Sequence, residues 1–228
     1  MSLLKLIAAI AAFSLSACGG GGMQTVAPQE QKQITVAFMG DSTVAGVQGI
    51  LNAKTEPFNQ LLPEKSYAAL IQAQSNGRIK SVNLAVGSGP SNTSHMREIE
   101  YPLALAANPD IIVMSTGLND VVNNYSDSDY VGNYQVILQD LQSRKIKIVL
   151  LTPLVGIPYL TYAQDAKAAH FANLMKQLAV QYNATLIDTR ALETVVNGVN
   201  TSACNAYDLH PCDYQPFANA ILPVLLKL

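Results

Sequence analysis

Residues 34–46, "ITVAFMGDSTVAG", carry the pattern that decides the fold. From Ile34 to Met39 every side chain is apolar or β-branched, with no polar alternation. That is the composition of a strand buried on both faces of a parallel sheet. The run stops at Gly40-Asp41-Ser42-Thr43, a polar turn. Four further segments repeat the plan: "IKSVNLAVG" (79–87), "DIIVMSTG" (110–117), "KIKIVLLT" (145–152) and "ATLIDT" (184–189). Between and after them lie stretches of helical periodicity: 66–75 with Ser66 as its cap, 94–108, 128–144, 161–183 and 214–228. Strand and helix alternate across 34–228, which predicts a single three-layer α/β domain. Ligands of such sheets sit beyond the carboxyl ends of the strands, so polar residues at those exits are site candidates.

The amino terminus has a different character. "MSLLKLIAAIAAFSLSACGGGG" places Lys5 before an apolar run, Leu6 to Leu15, followed by small residues. This is the build of a secretory signal, and the run falls short of the roughly 20 apolar residues that span a bilayer. Leu15-Ser16-Ala17-Cys18 resembles the lipobox of bacterial lipoproteins. The resemblance implies a signal peptide over 1–17, acylation of Cys18, and a membrane attachment through that lipid anchor. Residues 18–33, which open on a glycine run, read as a flexible tether. Gly19 after the cysteine implies the outer membrane of a Gram-negative cell as the destination. An ordinary signal peptide or a buried N-terminal helix is the alternative.

Charge and cysteine content narrow the function further. Loss of residues 1–17 removes Lys5 and leaves 13 Lys and Arg against 16 Asp and Glu, a net charge near −3 with histidine neutral. With no basic patch interleaved with aromatics, nothing predicts nucleic-acid binding. Cys204 and Cys212 remain. In an oxidising compartment they are candidates for a disulfide across a short loop, the alternative being two unpaired small hydrophobes.

The strand exits hold the chemistry. The first delivers Asp41-Ser42-Thr43; the second holds Asn83 and then Gly87, Ser88 and Gly89; the third delivers Gly117-Leu118-Asn119-Asp120. The loop after the fifth contains "CNAYDLHPCD", residues 204–213. A serine hydroxyl needs a base within hydrogen-bond reach to act as a nucleophile, and histidine suits because it titrates near neutral pH. Of the three histidines, His95 and His170 lie in helical stretches, where a structural role is the expectation. His210 stands in a loop, with Asp208 two residues before it, on the same side of an extended segment. Donors for a developing oxyanion are available from the backbone of Ser42, from the Gly87–Gly89 turn and from the Asn119 carboxamide, which alternatively caps an Asx turn.

Gly40-Asp41-Ser42, the Asn83 and glycine loop, Gly117-x-Asn119-Asp120 and Asp208-x-His210-Pro211 resemble, in order, the four blocks of the SGNH or GDSL-type hydrolases. The resemblance spans 34–228 and implies a flavodoxin-like α/β/α sandwich with a five-stranded parallel sheet. It also implies a serine esterase that uses neither metal nor cofactor. Carried over, Ser42 is the nucleophile and an oxyanion donor, Asn119 a side-chain donor, His210 the base and Asp208 the residue that orients it. Family members place the acid three residues before the histidine, where this chain has Tyr207; Asp213 and Asp188 are the other candidates. The block II backbone donor falls on Gly89 or Ser88. A Cys204–Cys212 bridge would hold the loop that carries Asp208 and His210.

The expected activity is hydrolysis of a carboxylic or thio ester through an acyl-enzyme, on a lipid, a short-chain ester or an O-acetylated glycan. Ile50, Leu51, Phe58, Leu61 and Leu62 after the first strand, and Tyr159 and Tyr162 after the fourth, are candidates for an acyl pocket or for packing over the sheet edge. The other expectation is a surface lipoprotein that keeps the fold but only binds a glycan or partner. Oligomeric state is open.

Overall fold

The computed structural model describes residues 32–87, 91–196 and 199–228. The expected signal peptide, Cys18 and most of the 18–33 tether lie outside the described residues. Residues 32–228 form one compact unit. It begins slightly earlier than the expected boundary at 34, because Lys32 pairs with Asp110 at 3.1 Å and Gln33 donates to the Gly77 carbonyl at 2.9 Å.

The apolar runs become the sheet. β1 (Ile34–Gly40), β4 (Ile79–Asn83), β5 (Ile111–Ser115), β6 (Lys147–Leu151) and β7 (Thr185–Ile187) align in the order β4-β1-β5-β6-β7, all parallel. Every residue of β5 is buried, as is β1 from Val36 onward, so their side chains contact protein on both faces. Four of the five strands are shorter than their apolar runs. β4 stops at Asn83, and Gly87 at the end of its run lines the cleft.

The helices flank the parallel sheet in two layers. α2 (Tyr67–Gln74) packs with α8 (Gln215–Leu225), and the Tyr67 and Tyr214 rings meet edge-on at 5.7 Å. On the opposite side α6 (Asp127–Arg144) packs with α7 (Tyr162–Gln181), joined by Tyr130 stacked on Phe171 at 4.2 Å. Ser66, Ser126 and Thr161 cap α2, α6 and α7 with their hydroxyls, satisfying N–H groups that have no intrahelical acceptor. The stretch expected as one helix over 94–108 is three segments: α3 (Thr93–His95), a π-helical turn over Met96–Glu100, and α4 (Tyr101–Ala106).

Two small hairpins were not legible in the sequence. β2 (Val47–Gly49) pairs antiparallel with β3 (Asn59–Leu61), and β8 (Val195–Val196) with β9 (Val199–Asn200). Strands of two or three residues have no period to detect. The β2–β3 hairpin occupies the segment expected as an apolar loop. It is fastened from behind by the Tyr214 hydroxyl, which donates to the Val47 carbonyl at 2.7 Å.

Candidate active site

The turn after β1 is shaped by its glycine and aspartate. Gly40 has φ +149°, and a Cβ there would lie 2.0 Å from the Ser115 carbonyl oxygen, so only glycine lets β1 run this close to the end of β5. Asp41 then caps α1 (Ser42–Ala45): its Oδ1 accepts from the Thr43 N–H at 3.0 Å and from the Thr43 hydroxyl at 2.6 Å. Ser42 is left as the first helical residue, half-buried at the floor of a cleft, and its N–H has no acceptor within the helix. The Asp-Ser order follows from this geometry. The aspartate serves the backbone and the serine is presented.

The far end of the chain brings the histidine. Cys204 and Cys212 are disulfide-bonded with Cα atoms 4.7 Å apart, closing a loop that contains both Asp208 and His210. The loop base is zipped by an Ala203–Pro211 bridge and by the Cys204 N–H on the His210 carbonyl at 3.2 Å. Asn205 ties it to the β2–β3 hairpin through the Ile50 and Phe58 carbonyls, at 3.1 and 2.8 Å. Within this frame His210 Nε2 lies 2.9 Å from Ser42 Oγ, and both carboxylate oxygens of Asp208 lie 2.9 Å from His210 Nδ1. Asp208 Oδ1 also accepts the Leu209 N–H at 2.9 Å. Both side chains are buried, so the pair is shielded from competing water. The two-residue spacing reaches the ring across Leu209, in a stretch that is neither helix nor turn. Asp188 instead pairs with Lys176 at 2.6 Å, and Asp213 accepts from the Gln215 N–H at 2.8 Å, at the start of α8.

Asn119, on α5 (Leu118–Val122), forms part of the opposite wall. Gly117 before it has φ +146°, and a Cβ there would meet Pro153 at 2.6 Å. Asp120 pins the helix by accepting from the Thr93 N–H and hydroxyl and from the Thr116 hydroxyl. The Asn119 amide nitrogen does not point to an empty site; it donates to the Ser91 carbonyl at 3.2 Å and the Ser91 hydroxyl at 3.0 Å. Ser91 carried no signal in the sequence beyond being one more serine in a polar loop. Asn83 donates to the Val44 carbonyl at 2.9 Å, bracing α1. Ser88 and Gly89 lie outside the described residues. His95 and His170 pair with Glu100 and Asp127, at 3.1 and 2.8 Å, and neither lines the cleft.

The cleft has a volume of about 230 Å³. Ser42, Ser91, Asn119, Asn59, Asp208 and His210 give it a polar lining, and Val47, Leu118 and Leu209 its apolar patches. Tyr159 stands on its wall with 59% of its surface exposed. Of the apolar residues after β1 singled out in the sequence, none lines it; Leu61 packs against Gly87 instead.

Buried carboxyls surround this machinery. Burial raises Asp41 to about 6, Glu193 to about 7 and Glu100 to about 8, and raises Asp120 as well. Each folded-state pKa lies above its unfolded value. The stability these groups contribute is therefore complete below about pH 4 and is lost progressively as pH rises from there through the folded values, at about 6 to 8. Unfolding free energy measured in urea should fall steadily, by several kcal/mol, from pH 5 to pH 8.5. A curve flat across that window would show that these carboxyls are not held neutral.

A parallel sheet with a serine, histidine and aspartate joined over its carboxyl edge defines a hydrolase class. The chain belongs to the GDSL-like lipase/acylhydrolase family, whose pattern matches residues 38–213. No curated protein sequence matches it. Among solved structures it is similar to an acetyl xylan esterase, AlAXEase, at 29% identity over 69% of this chain and 78% of that one, with a TM-score of 0.54. The lipase/acylhydrolase from Enterococcus faecalis is 18% identical over 86% of this chain and 96% of that one, with a TM-score of 0.64. A catalytic mutant of Axe2, an acetylxylan esterase from Geobacillus stearothermophilus, is 18% identical over 71% and 80%, with a TM-score of 0.55. The last two show the fold: this is the SGNH hydrolase sandwich that the resemblance implied.

Proposed function

We propose that this protein is a serine esterase that removes small acyl groups, acetyl foremost, from hydroxyls of a carbohydrate. The hydrogen-bonded chain from Ser42 through His210 to Asp208, ending in a small polar cleft, carries this reading. Ser42 Oγ attacks the acyl carbon as its proton passes to His210 Nε2. The bond to the leaving oxygen then breaks, and His210 returns that proton to the departing alcohol. Water attacks the acyl-serine, gives a proton to His210 and releases the acid, and the proton goes back to Ser42. Asp208 holds His210 with Nδ1 protonated and Nε2 open as the base. The oxyanion takes hydrogen bonds from the Ser42 N–H and from Asn119, which turns one amide hydrogen away from Ser91 and keeps the other on it. Ser88 or Gly89 supplies the backbone donor of the second block.

Size and polarity favour the small acyl group. Ligand pockets for larger molecules run from about 300 to 1,000 Å³ and are mostly apolar, whereas this cleft is smaller and polar. An exposed tyrosine on its wall offers a face on which a sugar ring can stack, and the similarity to AlAXEase, an acetyl xylan esterase, agrees with that choice. The test is the chain-length profile on p-nitrophenyl esters together with acetate release from acetylated xylan. Acetate should exceed octanoate by about tenfold or more in kcat/KM, since a cleft of about 230 Å³ that also holds the leaving alcohol has no room for a long chain in a reactive pose. Equal rates on octanoate would replace the acetyl reading with a lipase-like one.

A further inference from the structure

Behind the nucleophile lies a carboxyl that the reaction scheme does not use. Glu100 is buried to 1% exposure, although it lies in the helical stretch "MREIEYP" beside two other charged residues, Arg97 and Glu98. Its Oε2 accepts the Gly40 N–H at 2.6 Å, two residues before Ser42. Its Oε1 lies 3.1 Å from His95 Nδ1, which fixes the carboxyl from the other side.

The Gly40 N–H needs this partner. β4 has ended at Asn83, and the last bond of the β1–β4 ladder runs from the Leu84 N–H to the Phe38 carbonyl. Gly40 therefore leaves the sheet with a buried donor that no strand satisfies, which is costly to leave unpaired. The helix is deformed where it supplies the acceptor. Pro102 has no N–H to offer the Glu98 carbonyl, and the chain widens into π turns over Met96–Glu100, with the Tyr101 N–H bonding the Met96 carbonyl. Such π segments are rare and gather at functional sites. Here the wide turn ends on the residue that reaches the nucleophile's strand.

We propose that Glu100, braced by His95, is a positioning residue for Ser42: its carboxyl anchors the Gly40 N–H and so fixes where β1 releases the serine. The inference rests on the serine-esterase reading above. The anchor acts on placement and not on substrate contact, so its loss should appear in kcat with KM little changed. A displacement of about 1 Å at a reacting atom can cost about 100-fold.

The experiment compares wild type, Ser42→Ala, Glu100→Ala, Glu100→Asp and Glu100→Gln on p-nitrophenyl acetate, at a temperature where circular dichroism shows each folded. Glu100→Ala should lower kcat by about 10–100-fold with KM within about threefold. Glu100→Asp keeps a carboxyl one methylene short of Gly40, and decides the matter should the alanine variant not fold; it should lose about tenfold. Glu100→Gln retains an oxygen for Gly40 and an N–H₂ for His95, and should recover at least about a third of wild-type kcat. Wild-type kcat in folded Glu100→Asp, or glutamine as slow as aspartate, would overturn the role of Glu100 alone. A wild type no faster than Ser42→Ala would overturn the esterase reading and this inference together.

Discussion

Ser42→Ala should lower kcat on p-nitrophenyl acetate by about 10⁴-fold or more while leaving the fold intact. The separation of the two effects follows from what each atom near Ser42 does. The Oγ bonds His210 Nε2, and α1 is capped by Asp41, not by the serine. Removing the hydroxyl therefore takes away no cap and no packing atom, and the melting temperature should stay within about 2 °C. What disappears is the nucleophile. The Ser42 N–H and Asn119 remain, so a weak residual rate from oxyanion stabilisation is expected rather than none. Stopped assays with purified protein and a matched blank measure the difference. Equal rates in variant and wild type would leave a protein that keeps the fold and only binds.

The layout behind that prediction was readable to different depths. Nearly continuous apolar runs marked β1, β5 and β6, because burial leaves a composition that survives without context, and β4 and β7 were found by their β-branched residues and polar exits. Ser42, Asp208 and His210 could be singled out since each stands at a strand exit or in a loop, where a polar side chain needs a reason. Their meeting is a long-range fact: 168 residues separate Ser42 from His210. Composition and spacing could not show it, and only the match of four ordered blocks suggested it. Three other features had no sequence signal. Glu100 sits beside two other charged residues, Ser91 is one hydroxyl among several, and the β2–β3 hairpin is too short for a period. In each case the partner that gives the residue its role, Gly40, Asn119 or Tyr214, comes from a distant segment.

The buried carboxyls join stability to the site. Asp41, Glu100 and Asp120 all sit around the turn that presents Ser42, each accepting backbone or hydroxyl donors. Their neutral forms are favoured by burial, and raising the pH charges several of them close together. Raising the pH therefore strains the turn that presents Ser42.

Asp208→Asn should lower kcat by about 10²–10⁴-fold, with the histidine and serine both still in place. The reason lies in hydrogen-bond inventory. Both Asp208 oxygens face the Nδ1–H of His210, and Oδ1 also holds the Leu209 N–H. Asparagine keeps one oxygen but puts an N–H₂ where Oδ2 faces Nδ1, and those amide hydrogens meet another donor unless His210 moves its proton from Nδ1 to Nε2. That tautomer presents a hydrogen to Ser42 Oγ where the reaction needs a lone pair. The imidazolium that forms in the transition state also loses its counter-charge. Asp213→Asn and Asp188→Asn serve as controls, since Asp213 starts α8 and Asp188 pairs with Lys176; both should leave kcat within about twofold. Unchanged activity in Asp208→Asn would show that His210 holds its tautomer without the aspartate, and a large loss in either control would move the orienting role to that residue.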